Sequence, residues 1–166
     1  ITNKAYSEDL SSSDLHWFIC DENESIILEQ TKDGLHWYDG DIMTNNPPYP
    51  QQLDMNHSSL DRVKDYPELP EEYNSRGMET YGLLGDYTSM TRFSRLDYLK
   101  KHFENSDDAF NPVAQAFHLL SSVEQVYGAT PVNDKFEYTI YSIVYDMKHL
   151  KAYLKFYDDL SVQEIA

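Results

Sequence analysis

The sequence is poor in the residues that most often announce a chemistry. Of its 166 residues one is cysteine, Cys20. No intrachain disulfide can form, and a reducing compartment such as the cytoplasm is the expected location. Basic residues are scarce: 13 Lys and Arg stand against 29 Asp and Glu, a net charge of −16. A surface of that sign repels a phosphate backbone and an anionic bilayer, so neither nucleic acid nor membrane is expected as a partner. No apolar run approaches the ~18 residues of a membrane-spanning helix. Ile1-Thr2-Asn3-Lys4-Ala5 has neither the charge nor the hydrophobicity of a signal peptide. The six histidines include no His-x-x-x-His pair, no Cys-x-x-Cys accompanies them, and no glycine-rich phosphate loop is present. No metal or cofactor is expected.

What is abundant is aromatic. Fourteen of the residues are Tyr, a residue that suits strands and buries a ring while keeping its hydroxyl partnered. Leu15–Cys20 and Ser25–Glu29 read as a hairpin around Asp21-Glu22-Asn23-Glu24, and Leu35–Tyr38 resumes the extended pattern after Lys32-Asp33-Gly34. Pro47 and Pro48 end this ladder because they cannot donate to it. Residues 51–63 suit a helix with Leu53, Leu60 and Val63 inward. Tyr66-Pro67-Glu68-Leu69-Pro70 reads as a loop, and Gly77, Gly82 and Gly85 mark a segment running close to other backbone. A helix from Ser89 places Phe93, Leu96, Leu99 and Phe103 on one face. Another has Asn111 as N-cap, Pro112 at its first position, Val113, Ala116, Phe117 and Leu120 inward, and Gly128 past its end. Phe136–Tyr145 reads as one strand. Ala152, Leu154 and Phe156, alternating with Lys151, Tyr153, Lys155 and Tyr157, read as another, half-buried. Strands, helices, then strands with short connections make an α+β fold, mostly antiparallel sheet with helices on one face, in one domain over 1–166.

Cys20 lies in an apolar strand with no neighbour to lower its pKa, so it reads as a buried structural thiol. Two positions resist so bland a reading. Thr44-Asn45-Asn46-Pro47-Pro48 places two side-chain amides at a strand end, where an NH2 can aim outward; a turn or cap role competes with this. Arg92 falls in the first turn of its helix, against the macrodipole, and so calls for an acidic or polar partner; a surface salt bridge is the competing account.

The chain resembles the choloylglycine hydrolase family of bile salt hydrolases and penicillin V acylases over nearly its whole length. The resemblance rests on five motifs in order. They are Leu15–Asp21 with Ser25–Glu29, Met43-Thr44-Asn45-Asn46-Pro47, Ser75–Met78 with Gly82–Phe93, Phe117–Val123, and Glu137–Ser142. It implies an N-terminal-nucleophile hydrolase with a four-layer αββα fold, acting on a small-molecule amide: the linear amide of conjugated bile salts or of a penicillin V-type side chain. The nucleophile in that family is a cysteine exposed as the first residue after processing. The resemblance makes Asn45 the oxyanion-binding asparagine and Arg92 the arginine near the nucleophile, the two catalytic candidates here. It also implies that these residues are the C-terminal portion of the domain. Residue 1 is Ile, and Cys20 has no free α-amine, so the nucleophile belongs to a missing N-terminal portion, and the chain alone is expected to be inactive. A sheet lacking its other strands exposes edges and an apolar face, which favours a homo-oligomer. The rival reading is a non-catalytic binding or assembly module that keeps the fold.

Overall fold

A computed structural model describes residues 15–65, 67, 70, 80–102 and 110–165. Ser75-Arg76-Gly77-Met78, Phe103, and Tyr66, Glu68 and Leu69 of the expected loop lie outside the described residues. The elements are β1 (His16–Cys20), β2 (Ser25–Thr31), β3 (Gly34–Asp39), α1 (Tyr49–Leu60), β4 (Lys64–Asp65), β5 (Thr80–Tyr81), α2 (Ser89–Lys101), α3 (Pro112–Ser121), β6 (Thr130–Val132), β7 (Lys135–Glu137), β8 (Tyr141–Asp146), β9 (Lys151–Phe156) and β10 (Gln163–Glu164). This is the α+β arrangement that the pattern predicts.

β1, β2 and β3 form an antiparallel meander, with Phe18, Ile27 and Tyr38 in one cross-strand row. Its first turn is closed by Asp21, whose Oδ1 accepts the N–H groups of Asn23 and Glu24 at 2.7 and 3.0 Å. These two backbone donors hold the Asp21 carboxyl below its ordinary pKa. Gly34 closes the second turn at φ 126°, a backbone angle that side-chain-bearing residues rarely adopt. Cys20 corrects the expectation of burial: it is exposed. β1 is the edge of the sheet and Cys20 its last residue, so apolar neighbours in sequence do not become neighbours in space.

The core gathers Ile27, Ile42, Tyr49 and Phe93, with Tyr38, Met43 and Leu96 packed around it. Tyr49 stacks obliquely between Tyr38 and Phe93, at ring separations of 5.4 and 6.2 Å. α1 packs mainly against α2, with an unexpected face inward. Its buried residues are Tyr49, Gln52 and Asn56, while Leu53 is exposed and Leu60 and Val63 are half-buried. Hydrogen bonding overrides hydrophobicity here: Asn56 Nδ2 donates to Asp97 Oδ2 of α2 at 2.7 Å. Glu29, buried on β2, accepts the Tyr49 N–H at 2.9 Å, which caps a helix whose own N-cap, Pro48, supplies no side-chain acceptor.

α2 and α3 follow the sequence closely. Phe93 is buried on α2, with Leu96 and Leu99 half-buried beside it. Asn111 caps α3 through the N–H groups of Val113 and Ala114, at 2.9 and 3.3 Å, with Pro112 at the first position. α3 ends at Ser121, so Gly128 serves the later turn before β6 instead of the helix end. Gly82 lies against the carbonyl oxygen of Arg62, where a Cβ would collide, as a close backbone approach requires; Gly85 instead faces the Arg95 side chain.

The expected single strand 136–145 is two, β7 and β8. Between them Thr139 is held by the 123–129 turn. Its N–H donates to Gln125 O at 3.1 Å and its Oγ1 accepts the Gln125 N–H at 2.9 Å. Tyr138 packs edge-on to Tyr127 and Tyr157. β4–β5 and β6–β7 are two-stranded antiparallel pairs, and β8, β9 and β10 form another three-stranded antiparallel sheet. Its α3 side carries the cross-strand pair Ser142 and Lys155, both bound to Glu124. Lys155 is therefore drawn inward, against the simple alternation expected of β9. On the other side Tyr141, Tyr145 and Phe156 are exposed.

Candidate active site

The connection from β3 to α1 runs from Gly40 to Pro48, and Asn45 and Asn46 are exposed on it. The two amides thus sit in a loop six and seven residues past Asp39, the end of β3. The ladder stops there, before the prolines. Asn46-Pro47 is a cis peptide.

Polar contacts fix this loop from two sides. From α1, Gln52 Oε1 accepts the Thr44 N–H at 3.3 Å and the Thr44 hydroxyl at 2.9 Å. Its Nε2 donates to the carbonyls of Thr44 and Pro47 at 3.0 and 2.6 Å. From α2, Ser89 Oγ accepts the Asn46 N–H at 2.8 Å. Arg92, one turn further along, donates through Nη2 to Asn45 Oδ1 at 2.6 Å and through Nε to Tyr87 O at 3.2 Å.

The two residues singled out in the sequence therefore touch, 47 positions apart in the chain. The polar partner that a cation at this helix end calls for is an amide oxygen and a carbonyl. Among the described residues Arg92 forms no ion pair, and its partners are this amide oxygen and carbonyl. Burial lowers the pKa of the guanidinium, and the Glu137 carboxylate raises it. A guanidinium keeps its charge under any condition relevant to a protein. Because Arg has only donors, it admits one orientation of the Asn45 amide: oxygen toward Arg92, NH2 away. Among the described residues that NH2 meets no protein acceptor. Asn45 also lines a cavity of about 320 Å³ with His16, Glu29, Asn46 and Pro48. A side-chain amide with its oxygen engaged and its donor end free, beside a cavity, is equipped to bind an oxygen on which negative charge develops.

The match to known proteins extends over the whole chain. Residues 1–166 fit the model of the linear amide C–N hydrolases, choloylglycine hydrolase family. The chain belongs to this family. It is 37% identical over 175 residues to the bile salt hydrolase/transferase of Lactiplantibacillus plantarum, with 100% of this chain and 54% of the relative covered. A crystal structure of a variant conjugated bile acid hydrolase from Clostridium perfringens is 28% identical, with a TM-score of 0.75. It covers 90% of this chain and 49% of that one. Penicillin V acylase from Agrobacterium tumefaciens, at 19% identity and a TM-score of 0.65, covers 86% and 41% and shares the fold. The chain therefore forms part of an N-terminal-nucleophile fold and spans about half the length of the curated relatives it matches.

Sequence reading missed Gln52 and Glu29. Gln52 is 1% exposed and Glu29 4%, values rare for such side chains. The available signal was spacing: Tyr49, Gln52 and Asn56 recur at i, i+3 and i+7. A search for an apolar stripe passes over a polar face.

Proposed function

We propose that this chain is the C-terminal portion of an amidase domain that cleaves the linear amide of conjugated bile salts. The nucleophile is a cysteine carried by the rest of the enzyme. Its thiolate attacks the amide carbonyl carbon and makes a tetrahedral oxyanion. The C–N bond then breaks, the nitrogen takes a proton and leaves as the amine, and a thioester remains. Water attacks the thioester, releasing the acid and restoring the thiol. Asn45 Nδ2 donates to the oxyanion. Arg92 holds Asn45 in the orientation that presents this donor, and its charge favours the thiolate.

The observation that carries the reading is the Arg92–Asn45 hydrogen bond. It joins the two residues that the family resemblance assigns to one site, and among the described residues it leaves the Asn45 NH2 without a protein acceptor. The bile salt preference is supported by the bile salt hydrolase/transferases that the chain matches at 37% and 32% identity. A share in a larger body is supported by the large apolar side chains at the surface, Trp37, Ile140, Tyr145 and Leu150 among them, each more than 60% exposed. Self-association as a homo-oligomer covers part of that surface in this account.

The test is kinetic. In the full-length enzyme, release of glycine or taurine from conjugated bile salts is measured for the parent and for Asn45→Ala. Loss of one oxyanion donor is expected to lower kcat by about 10²–10³, with the 166-residue chain alone showing no turnover. Near-parent turnover by Asn45→Ala removes Asn45 from the mechanism. Turnover by this chain alone contradicts the external nucleophile.

A further inference from the structure

Gln52 is one of the most deeply buried side chains among the described residues, at 1% exposure, and it sits on a helix face that an aliphatic residue could fill. Burying an amide is unfavourable unless all of its polar atoms are matched. Here both Nε2 protons and both Oε1 lone pairs are engaged. Their destinations matter more than their number. All four bonds end on Thr44 and Pro47, the residues flanking Asn45-Asn46. None serves the packing of α1 on its neighbours, since Glu29 caps the helix and Asn56 ties it to α2.

We infer that Gln52 is a positioning residue for the hydrolytic step, a clamp that fixes the backbone on both sides of Asn45 so that its amide is aimed before the oxyanion forms. The inference rests on the amidase reading and extends it inward by one layer. Arg92 and Ser89 hold Asn45 and Asn46 from α2; Gln52 holds the same loop from α1. An oxyanion donor acts only when it is already in place, to within about 0.5 Å. Two exposed residues on a loop reach that tolerance only if the peptides around them are fixed. A clamp of this kind lowers the barrier without touching the substrate, so its removal alters kcat and spares KM.

The test is a double-mutant cycle in the full-length enzyme, with Gln52→Met and Asn45→Ala alone and together. Methionine keeps the length and burial of Gln52 and makes none of its hydrogen bonds. Gln52→Met is expected to lower kcat by about tenfold or more with KM within about threefold of the parent, and to change kcat by less than about twofold once Asn45 is Ala. Parent-like kcat in Gln52→Met, or an equal loss in both backgrounds, overturns the clamp. If Gln52→Met does not fold, Gln52→Glu decides by its pH profile. Its carboxylate donates nothing to the Thr44 and Pro47 carbonyls, whereas its protonated form regains one donor. Activity relative to the parent should then rise as pH falls, and a flat ratio overturns the clamp. An enzyme that depends on Asn45 and is indifferent to Gln52 sinks this inference alone. A parent that releases neither glycine nor taurine, or that is unaffected by Asn45→Ala, sinks the amidase reading and the clamp with it.

Discussion

Arg92 and Asn45 meet through a bond that permits one arrangement. A guanidinium cannot accept, so the asparagine oxygen faces it and the NH2 is left over. The planar fork also matters, because Nε is held by the Tyr87 carbonyl while Nη2 reaches Asn45. A lysine keeps the charge and loses this two-point geometry. Arg92→Lys in the full-length enzyme is therefore expected to lower kcat by about tenfold with little change in KM, read from steady-state bile salt hydrolysis. An unchanged kcat would mean that charge alone suffices. Both residues were legible in the sequence, because an amide pair before prolines and a cation at a helix start each break a local rule. Gln52 breaks none that a linear reading detects, since a polar residue on a helix is ordinary until its burial is seen. Cys20 misleads in the opposite direction: its apolar neighbours on β1 suggest an interior that an edge strand does not provide.

α2 is the element that presents Ser89 and Arg92 to the loop, and its entry is built from short polar side chains. Thr88 caps the helix by accepting the Thr91 N–H at 3.3 Å, and Asp86 Oδ1 accepts the Thr88 N–H at 2.8 Å. Desolvation raises the Asp86 pKa, but the hydrogen bonds from Thr88 and Thr91 and the charge of Arg95 outweigh it, and the net shift is downward. A carboxyl with a depressed folded-state pKa stabilises the fold above its unfolded pKa. That stabilisation is lost as pH falls through the folded value. Asp86→Asn should consequently lower the melting temperature at neutral pH, with the difference from the parent shrinking to nothing in acid below that pKa. A difference independent of pH would contradict the assignment. α3 was readable because its cap is local, Asn111 directly before Pro112, whereas apolar spacing alone placed α2 from Ser89 onward and did not mark its cap, Thr88. The division of Phe136–Tyr145 into β7 and β8 was not readable. It depends on Gln125 reaching Thr139 from another part of the chain.

At the scale of the molecule, two three-stranded sheets and three helices among the described residues gather a small core and leave much apolar area outside. A groove of about 480 Å³ lined by Phe18, Met43, Leu96, Leu119 and Ile143 runs between β1, α2, α3 and β8. An α+β class, helices against antiparallel strands, follows from the order of patterns along the chain. How much of each sheet face is covered does not, because alternation identifies an apolar face without identifying what meets it. The loop that carries Asn45 lies between β3 and α1 and is bound by α2, and the proposed function turns on where the Asn45 amide points. The most direct measurement is a crystal structure of the full-length enzyme with an aldehyde analogue of the bile acyl group, which the proposed cysteine nucleophile would capture as a hemithioacetal. The account predicts Asn45 Nδ2 within about 2.7–3.1 Å of the hemithioacetal oxygen, with Oδ1 still held by Arg92. An Asn45 amide turned away from that oxygen, or lying on a surface remote from it, would contradict the account.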